Sequence, residues 1–257
     1  MPFWIVFTNR LEKIFGTLVK TFAYPFHFIF PQKRFIIPSH KKPLIKPKKE
    51  YLIPRTIWQT NFTNKASLPV YANYLFNRLM GYDFEHRFVS TQERLEYIRA
   101  HASQRYIDAY EKLTIGAAQA DFWRVFVLYN EGGVYMDIDA HAVWPLSKIL
   151  PQEQKELILM TKHRYSNYFI AAAPKNEHLK NTLEVIVDNI ENRRIDGGVY
   201  NLTGPTALNE AIGDKEVAHR HNKITCIQGS FTNEYFQYID RPRSKWTYAD
   251  NSSLLKD

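Results

Sequence analysis

The sequence predicts an α/β fold with a mainly parallel sheet and helices on both of its faces. Apolar residues recur at helical spacing over residues 116–129. The pair Gly132-Gly133 separates this segment from a short apolar run that ends in two aspartates. Strand-like and helix-like segments alternate upstream as well, which is typical of α/β folds because each connecting helix covers one face of the sheet.

The elements that precede the glycine pair follow the same alternation. Strands are predicted over residues 53–60 and 84–89, and a helix is predicted over residues 69–80 between them. Ser90 and Glu93 have the spacing of a capping box, in which each side chain bonds the backbone N–H of the other residue. A helix is therefore expected from this box through residue 102.

Residues 132–139 carry the strongest functional signal. Side chains alternate along a strand, so Tyr135, Asp137 and Asp139 are predicted on one face. Two unpaired carboxylates so close together repel each other unless a cation or hydrogen-bond donors lie between them. Mg²⁺ and Mn²⁺ prefer oxygen ligands and usually complete their coordination with phosphate oxygens and water. The pattern predicts a metal-bound diphosphate with Asp137 and Asp139 as ligands, and the alternative is a solvated turn.

A resemblance to a known family rests on Ala120-Asp121-x-x-Arg124, Leu128-Tyr129 and Gly132-Gly133-x-Tyr135-x-Asp137-x-Asp139. This series resembles glycosyltransferase family 32, the sugar transferases with a DXD motif that are distantly similar to the large clostridial toxin glucosyltransferases. Residues 53–60 resemble the family's opening strand, with Trp58 in place of the usual histidine. The resemblance covers residues 53–144. It implies a GT-A type nucleotide-binding fold, Mn²⁺ or Mg²⁺ as cofactor, and a nucleotide diphosphate sugar as donor.

The resemblance also implies roles for individual residues. The implied catalytic residues are Asp137, Asp139, Arg124 and Asn167. The implied donor and cofactor contacts are Trp58, Asp121, Arg124, Tyr135, Asp137, Asp139 and Trp246. Trp246 would belong to a C-terminal lid over the diphosphate. Three alternatives stay open: Trp58 stacks on a uracil-type base or packs in the core, Tyr135 bonds the nucleotide or packs, and Asp121 and Arg124 form an exposed ion pair.

The net charge of +8 lies entirely within residues 1–50, because this segment holds ten Lys or Arg against two Glu. Aromatic and aliphatic residues recur there at helical spacing, but charged residues interrupt them, so no apolar run of about 20 residues is present. The pattern predicts an amphipathic segment at the surface of an anionic membrane, followed by an extended Pro/Lys linker over residues 31–50. The alternative is a helix packed on the protein's own core or on a partner subunit. Nucleic acid is not expected as a partner, because the rest of the chain is neutral.

The sequence therefore predicts two parts, a membrane-interface segment and linker (residues 1–50) and a catalytic domain (residues 51–257). The single cysteine, Cys226, excludes a disulfide framework. P-loop, His-Glu-x-x-His and Gly-x-Ser-x-Gly strings do not occur in the sequence, which disfavours those enzyme classes.

The predicted activity is retaining, metal-dependent transfer of a hexose to a hydroxyl of a glycan or lipid-linked glycan. The expected setting is the cytoplasmic face of a membrane, with the enzyme bound peripherally, in surface polysaccharide or lipopolysaccharide synthesis. No side chain identifies itself as a glycosyl nucleophile, so a same-face displacement assisted by the leaving phosphate is favoured. The alternatives are a nucleotide-sugar hydrolase or phosphohydrolase, and a non-catalytic membrane-associated scaffold.

Overall fold

The structure is a computed structural model that describes residues 3–47 and 49–256. Met1, Pro2, Lys48 and Asp257, which belong to the two predicted parts of the chain, lie outside the described residues. The strands are β1 (Phe35–Ile36), β2 (His40–Lys41), β3 (Thr56–Asn61), β4 (Lys65–Ala66), β5 (Glu85–Ser90), β6 (Gly133–Met136), β7 (Ala140–Ala142), β8 (Glu156–Thr161), β9 (Arg164–Ala172), β10 (His219–His221) and β11 (Cys226–Gln228).

The helices alternate with these strands. They are α1 (Phe3–Ile29), α2 (Leu68–Met80), α3 (Thr91–His101), α4 (Gln104–Lys112), α5 (Gly116–Glu131), α6 (Leu146–Ile149), α7 (Glu177–Glu191), α8 (Gly198–Leu202), α9 (Pro205–Ile212) and α10 (Glu234–Gln237). Short 3-10 helices span Asn222–Ile224, Trp246–Tyr248 and Asn251–Ser253.

The central sheet has seven strands in the order β10-β8-β9-β6-β3-β5-β2. Strands β10, β8, β6, β3 and β5 run in one direction, and β9 and β2 run in the other. The predicted mainly parallel sheet is therefore confirmed as a mixed sheet with most of its strands in one direction. Two further pairs, β1 with β4 and β7 with β11, lie outside it.

Apolar side chains of the sheet are buried on both faces. On one face Trp58 and Tyr135 pack with α3, α4, α5, α7, α8 and α9. On the other face Ile57 and Val134 pack with α6 and the end of α2. The predicted helices on both faces are confirmed, and this packing holds β3 and β6 rigidly side by side beneath the site.

Most predicted elements lie within a few residues of their observed bounds. The capping box is present, because Glu93 N donates to Ser90 Oγ and Ser90 N donates to Glu93 Oε2. The first strand begins at Thr56, three residues later than predicted. Gly132 and Gly133 both have positive φ angles, which allows the chain to pass directly from α5 into β6 against the backbone of β3.

The segment of residues 31–50, predicted as an extended linker, contributes the short strands β1 and β2. His40–Lys41 pairs antiparallel with β5 at the edge of the central sheet, and Phe35–Ile36 pairs with β4. Helix α1 packs one face against the body, with Asn9, Glu12 and His27 buried. No helix within the described residues is long and apolar enough to cross a membrane. The structure therefore joins the N-terminal segment to the catalytic domain by direct packing.

Candidate active site

The two aspartates lie just past the end of β6, at the edge of the sheet where the parallel strands β3 and β6 both end. The strand stops at Met136, and a turn follows in which Asp137 N donates to Tyr168 O and Ala140 N donates to Asp137 O. Asp137 and Asp139 therefore sit on a turn and not on the strand as predicted, yet both line the same cleft. Carboxyl ends of strands are where open α/β sheets bind ligands.

Gln228 is the closest polar partner shared by the two carboxylates. Its Nε2 donates to Asp137 Oδ2 at 2.9 Å and to Asp139 Oδ1 at 3.2 Å. Gln228 ends β11, which pairs with β7 directly after the turn that carries the aspartates. A neutral donor thus separates two like charges that would otherwise repel each other.

Arg124 of α5 is the second polar centre of the site. Its Nη2 lies 3.0 Å from Asp121 Oδ1 and 3.1 Å from Asp137 Oδ1, and its Nη1 donates to Asn167 O at 2.8 Å. The guanidinium also lies over the Tyr135 ring, 4.4 Å from its centroid. Burial opposes the charge on Arg124, but Asp137, Tyr135 and Asp121 outweigh burial and raise its pKa.

Asp121 is buried beside Arg124, so the alternative of an exposed ion pair on the surface of α5 is wrong. Asn167 Nδ2 donates to its Oδ1 at 3.0 Å, and Thr203 Oγ1 donates to its Oδ2 at 3.2 Å. Burial raises the pKa of Asp121 to about 6, although the charge of Arg124 partly opposes this shift. Two segments distant in sequence, together with Arg124 on the same helix, thus hold this carboxylate in place.

Tyr135 both packs and bonds a carboxylate. Its ring is buried, and its hydroxyl donates to Asp137 Oδ1 at 2.8 Å.

Desolvation and the neighbouring Asp137 carboxylate raise the pKa of Asp139 to about 7. In the part of the chain that the structure describes, no cationic side chain lies within ion-pair distance of Asp139. Arg124 thus forms ion pairs with Asp121 and Asp137 but not with Asp139.

The donor set of the aspartate pair fits a hard divalent cation. Its carboxylate oxygens open into the cleft and are of the type that Mg²⁺ and Mn²⁺ prefer. Across residues 3–47 and 49–256, no group of three or more His, Cys, Asp or Glu side chains is placed to hold a metal ion. Any further ligands would therefore come from the donor substrate, from water, or from amide and hydroxyl groups, as is common for Mg²⁺.

The cleft above these residues has a volume of about 690 Å³, within the range of roughly 300–1,000 Å³ typical of ligand pockets. Asn167, Tyr135 and Trp246 line it. The segment that carries Tyr238, Ser244, Lys245 and Trp246 forms one of its walls. The implied roles of these residues remain predictions.

Trp58 is not brought into the cleft. Its side chain is 9% exposed, packs edge-to-face on Trp123, and donates from Nε1 to Gly132 O at 3.0 Å. The prediction that Trp58 stacks on a base is therefore corrected: it is a core residue that fastens β3 to the glycine turn. The side chain points into the layer between the sheet and α5, whereas the cleft lies beyond the end of the strand.

The cleft residues that the sequence reasoning missed include Gln228, Phe62 and Arg94. Phe62 directly follows β3, and the Arg241 guanidinium lies over its ring at 4.5 Å. An aromatic residue just past the first strand is a signal that could have identified it. Gln228 lies 89 residues from Asp139 in sequence and belongs to no recognisable motif, so nothing in the sequence identified it.

Comparison with known proteins supports the resemblance seen in the sequence. The model of the glycosyltransferase sugar-binding region containing the DXD motif matches residues 69–156, which include Asp121, Arg124 and both aspartates of the pair. An uncharacterized glycosyltransferase of Acanthamoeba polyphaga mimivirus is 24% identical over 196 residues, covering 74% of this chain and 76% of the viral protein. The chain is a glycosyltransferase of the DXD sugar-binding type.

Two solved structures are similar to this glycosyltransferase. The PaToxG glycosyltransferase is 15% identical with a TM-score of 0.48, over 79% of this chain and 78% of its own. The ligand-free glycosyltransferase domain from the YGT toxin is 13% identical with a TM-score of 0.41, over 57% and 54% of the two chains. The family assignment rests on the sequence matches and on the motif residues that meet in the cleft.

Proposed function

We propose that this glycosyltransferase has a GT-A type fold, binds Mn²⁺ or Mg²⁺ at Asp137 and Asp139, and transfers a hexose from a nucleotide diphosphate sugar to a hydroxyl of a glycan or lipid-linked glycan. The observation that carries the proposal is the opening of both carboxylates into one cleft, where the buried Arg124 lies within ion-pair distance of Asp137 and Asp121, while Asp139 has no such partner among the described residues. When ionised, Asp121, Asp137 and Asp139 carry three negative charges, and the positive charge of Arg124 balances one of them. A divalent cation beside Asp137 and Asp139 would offset this local negative charge.

When bound, the metal ion would neutralise charge that builds on the leaving diphosphate. The residues of the chain prepare the site for it. Tyr135 and Arg124 occupy Oδ1 of Asp137 and leave its Oδ2 facing Gln228 and Asp139. This orientation is fixed before any ligand arrives, which lowers the reorganisation needed during reaction.

The donor sugar is assigned to the floor of the cleft around Asp121, Arg124 and Asn167. These side chains are buried, hydrogen-bonded to one another and directly beside Asp137. Phe62 is assigned to the nucleotide base in place of Trp58, because it is an aromatic side chain that lines the cleft and is partly exposed. Lys245 and Arg241 line the same cleft and supply positive charge for the diphosphate.

A retaining reaction by same-face displacement suits the acids of the cleft. Within the described chain, its acidic lining residues are Asp121, Asp137 and Asp139. Asp137 and Asp139 are assigned to the metal. Asp121 already accepts hydrogen bonds from Asn167 and Thr203 and is paired with Arg124, which makes it a poor nucleophile. The departing phosphate is therefore the group left to assist attack from the same face.

The outer surface of α1 supports attachment to an anionic membrane. The helix turns a polar and small-residue stripe inward, which includes Asn9, Glu12 and Gly16. Its large apolar side chains face outward instead and are exposed: Phe3, Trp4, Phe7, Leu11, Ile14, Phe15, Leu18 and Phe22. Arg10 and Lys13 are exposed among them, while the one acidic residue of the helix, Glu12, is buried.

A helix with this distribution has its apolar and basic groups available to a bilayer that carries negative charge. The enzyme would then work as a peripheral protein at the cytoplasmic face of a membrane, beside an acceptor that is itself attached to lipid. Surface polysaccharide or lipopolysaccharide synthesis is a process of this kind.

One experiment separates glycosyl transfer from its alternatives. A panel of nucleotide diphosphate sugars is incubated with the full chain in Mn²⁺ or in EDTA, with and without glycan and lipid-linked acceptors. A transferase releases nucleoside diphosphate faster when its acceptor is present, and only with metal. A nucleotide-sugar hydrolase or phosphohydrolase turns over equally without acceptor. A scaffold releases nothing under any condition, and that result contradicts the proposal.

A further inference from the structure

The loop of residues 228–231 lies directly behind the aspartate pair. Gln228 donates to both carboxylates, and Gly229 N donates to Asp139 O at 3.1 Å. The preceding strand β11 pairs with β7, placing Gln228 opposite Ala140. Three separate hydrogen bonds therefore tie this loop to the turn that carries Asp137 and Asp139.

Helix α1 holds the same loop from the other side. Gly16 packs so closely that a Cβ atom there would lie 2.5 Å from the backbone oxygen of Ser230. Lys20 Nζ donates to Gly229 O at 3.0 Å, and the Phe15 ring packs edge-on against Phe231. This close approach needs a residue without a side chain, so the helix and the loop can pack together only because position 16 is glycine.

We propose that α1 is a working part of the metal site: it fixes the loop of residues 228–231 through Gly16 and Lys20, and Gln228 in turn positions Asp137 and Asp139. The proposal rests on the proposed function in one respect, namely that this pair binds a divalent cation. It makes Gln228 a positioning residue and makes α1 more than an attachment surface.

The physical reason lies in how a neutral amide acts between two acids. The amide of Gln228 holds both carboxylates at hydrogen-bond distance without neutralising them, so their full charge remains available to a cation. The Gln228 side chain is itself exposed, so its position depends on the backbone beneath it. That backbone is held by β7 on one side and by α1 on the other. Substitution of a residue that hydrogen-bonds a metal ligand typically weakens metal affinity by about 10–100-fold.

The test is Mn²⁺ affinity, measured by electron paramagnetic resonance on the full chain without any sugar nucleotide, so that catalysis plays no part. Gln228→Leu keeps the size of the side chain and removes the donor. We expect Gln228→Leu to weaken Mn²⁺ binding about tenfold or more at an unchanged melting temperature in EDTA. Wild-type affinity in Gln228→Leu would overturn the positioning role.

The contribution of α1 is tested with a matched pair of substitutions. Gly16→Val forces the helix away from Ser230, while Thr17→Val adds the same β-branched residue at the neighbouring exposed position. Gly16→Val should lose Mn²⁺ affinity about as much as Gln228→Leu, and Thr17→Val should not. If Gly16→Val does not fold, Lys20→Met removes the bond to Gly229 O more mildly and is measured in its place.

A double substitution tests the order of action. If α1 acts through Gln228, then Gly16→Val combined with Gln228→Leu binds Mn²⁺ no more weakly than Gln228→Leu alone. Additive losses would show that α1 does not act through Gln228 and would overturn that step. The two proposals fail differently: a wild-type chain that binds no Mn²⁺ refutes the metal site itself, whereas equal binding by the wild type and all variants refutes only the inference about α1.

Discussion

Arg124 and Asp137 form an ion pair in which the arginine is buried and the aspartate is partly exposed to the cleft. The Arg124 side chain is 6% exposed, whereas that of Asp137 is 23% exposed, and Nη2 lies 3.1 Å from Oδ1. The buried partner therefore fixes the orientation of the carboxylate that reaches the cleft. Because Arg124 also pairs with Asp121, one guanidinium links the floor of the cleft to the turn that carries Asp137 and Asp139.

The first prediction concerns Asp139. Asp139→Asn should lower turnover by about a hundredfold or more, because the lost charge serves the leaving diphosphate and not the core. Its melting temperature in EDTA should equal or exceed that of the wild type, since repulsion with Asp137 is relieved. Steady-state kinetics with Mn²⁺ and a thermal melt check both parts. Wild-type turnover in a folded Asp139→Asn protein would refute the assignment.

The second prediction concerns Arg124. Arg124→Lys keeps the charge but cannot contact Asp121, Asp137 and Asn167 O together, so kcat/KM should fall by about tenfold or more. The matched control is Arg105→Lys, at an exposed pair with Glu184 and Glu191. Exposed pairs are worth roughly 0–1 kcal/mol, so this control should keep wild-type kinetics. Equal kinetics in both variants would show that Arg124 does not act on the donor.

The third prediction is the pH dependence of metal binding. Burial and the Asp137 carboxylate raise the pKa of Asp139 to about 7 in the metal-free protein. A proton then competes with the cation for Asp139, so Mn²⁺ affinity should fall about tenfold per pH unit below 7. The measurement is a set of Mn²⁺ titrations between about pH 5.5 and about pH 8, a range that includes that pKa. A flat profile would contradict the assignment.

The same shift has a consequence for stability. The folded metal-free protein keeps a proton on Asp139 up to about pH 7, whereas the unfolded chain releases it near the ordinary aspartate pKa of 3.8. The stabilisation is therefore fully present below that lower pKa and is lost as the pH rises through 7. Asp139→Asn should remove this stabilisation. Between about pH 6 and about pH 8 its melting temperature in EDTA should therefore fall less than that of the wild type.

Local patterns predicted the central part of the molecule well. The helix over residues 116–129, the capping box at Ser90 and the clustering of Asp121, Arg124 and Asp137 all depend on residues near one another in sequence or on the family motif. Such features are set by local spacing, and the family model covers most of them. The α/β class follows from the same alternation of strands and helices.

Features that depend on long-range packing could not be predicted from local sequence patterns. The contact of Gln228 with Asp139 arises because β11 pairs with β7, and no spacing rule connects these segments. The orientation of α1 was equally hidden, because its polar stripe is buried against the body while its apolar face is exposed. Amphipathic spacing shows that a helix has two faces, but the groups that meet it in the fold decide which face packs.

The fourth prediction separates Phe62 from Trp58. Phe62→Ala should raise the KM for the donor several-fold, since stacking on a base contributes roughly 1–3 kcal/mol by alanine substitution. Trp58→Phe should leave the KM unchanged and lower the melting temperature, because it loses the bond to Gly132 O and packing against Trp123. If instead only Trp58→Phe loses donor affinity, then Trp58 and not Phe62 is the residue that stacks on the base.

The last prediction concerns the outer face of α1. Leu18 and Phe22 are 62% and 64% exposed, so replacing each with Glu should not disturb the core. It should instead remove apolar burial in the bilayer and add charges that anionic lipids repel. Leu18→Glu combined with Phe22→Glu should abolish co-sedimentation with anionic liposomes, while metal-dependent release of nucleoside diphosphate in solution stays at the wild-type level.

The matched control for this prediction is Leu52→Glu combined with Leu79→Glu, which places the same two charges on exposed leucines outside α1 and should still bind liposomes. Wild-type binding should also weaken as salt rises, because screening shortens the range of attraction between Arg10, Lys13 and the lipid headgroups. These substitutions are preferable to removal of residues 1–50, since truncation would also withdraw Gly16 and Lys20 from the loop behind the aspartates. If the double variant still sediments with anionic liposomes, the outward face of α1 does not bind the membrane.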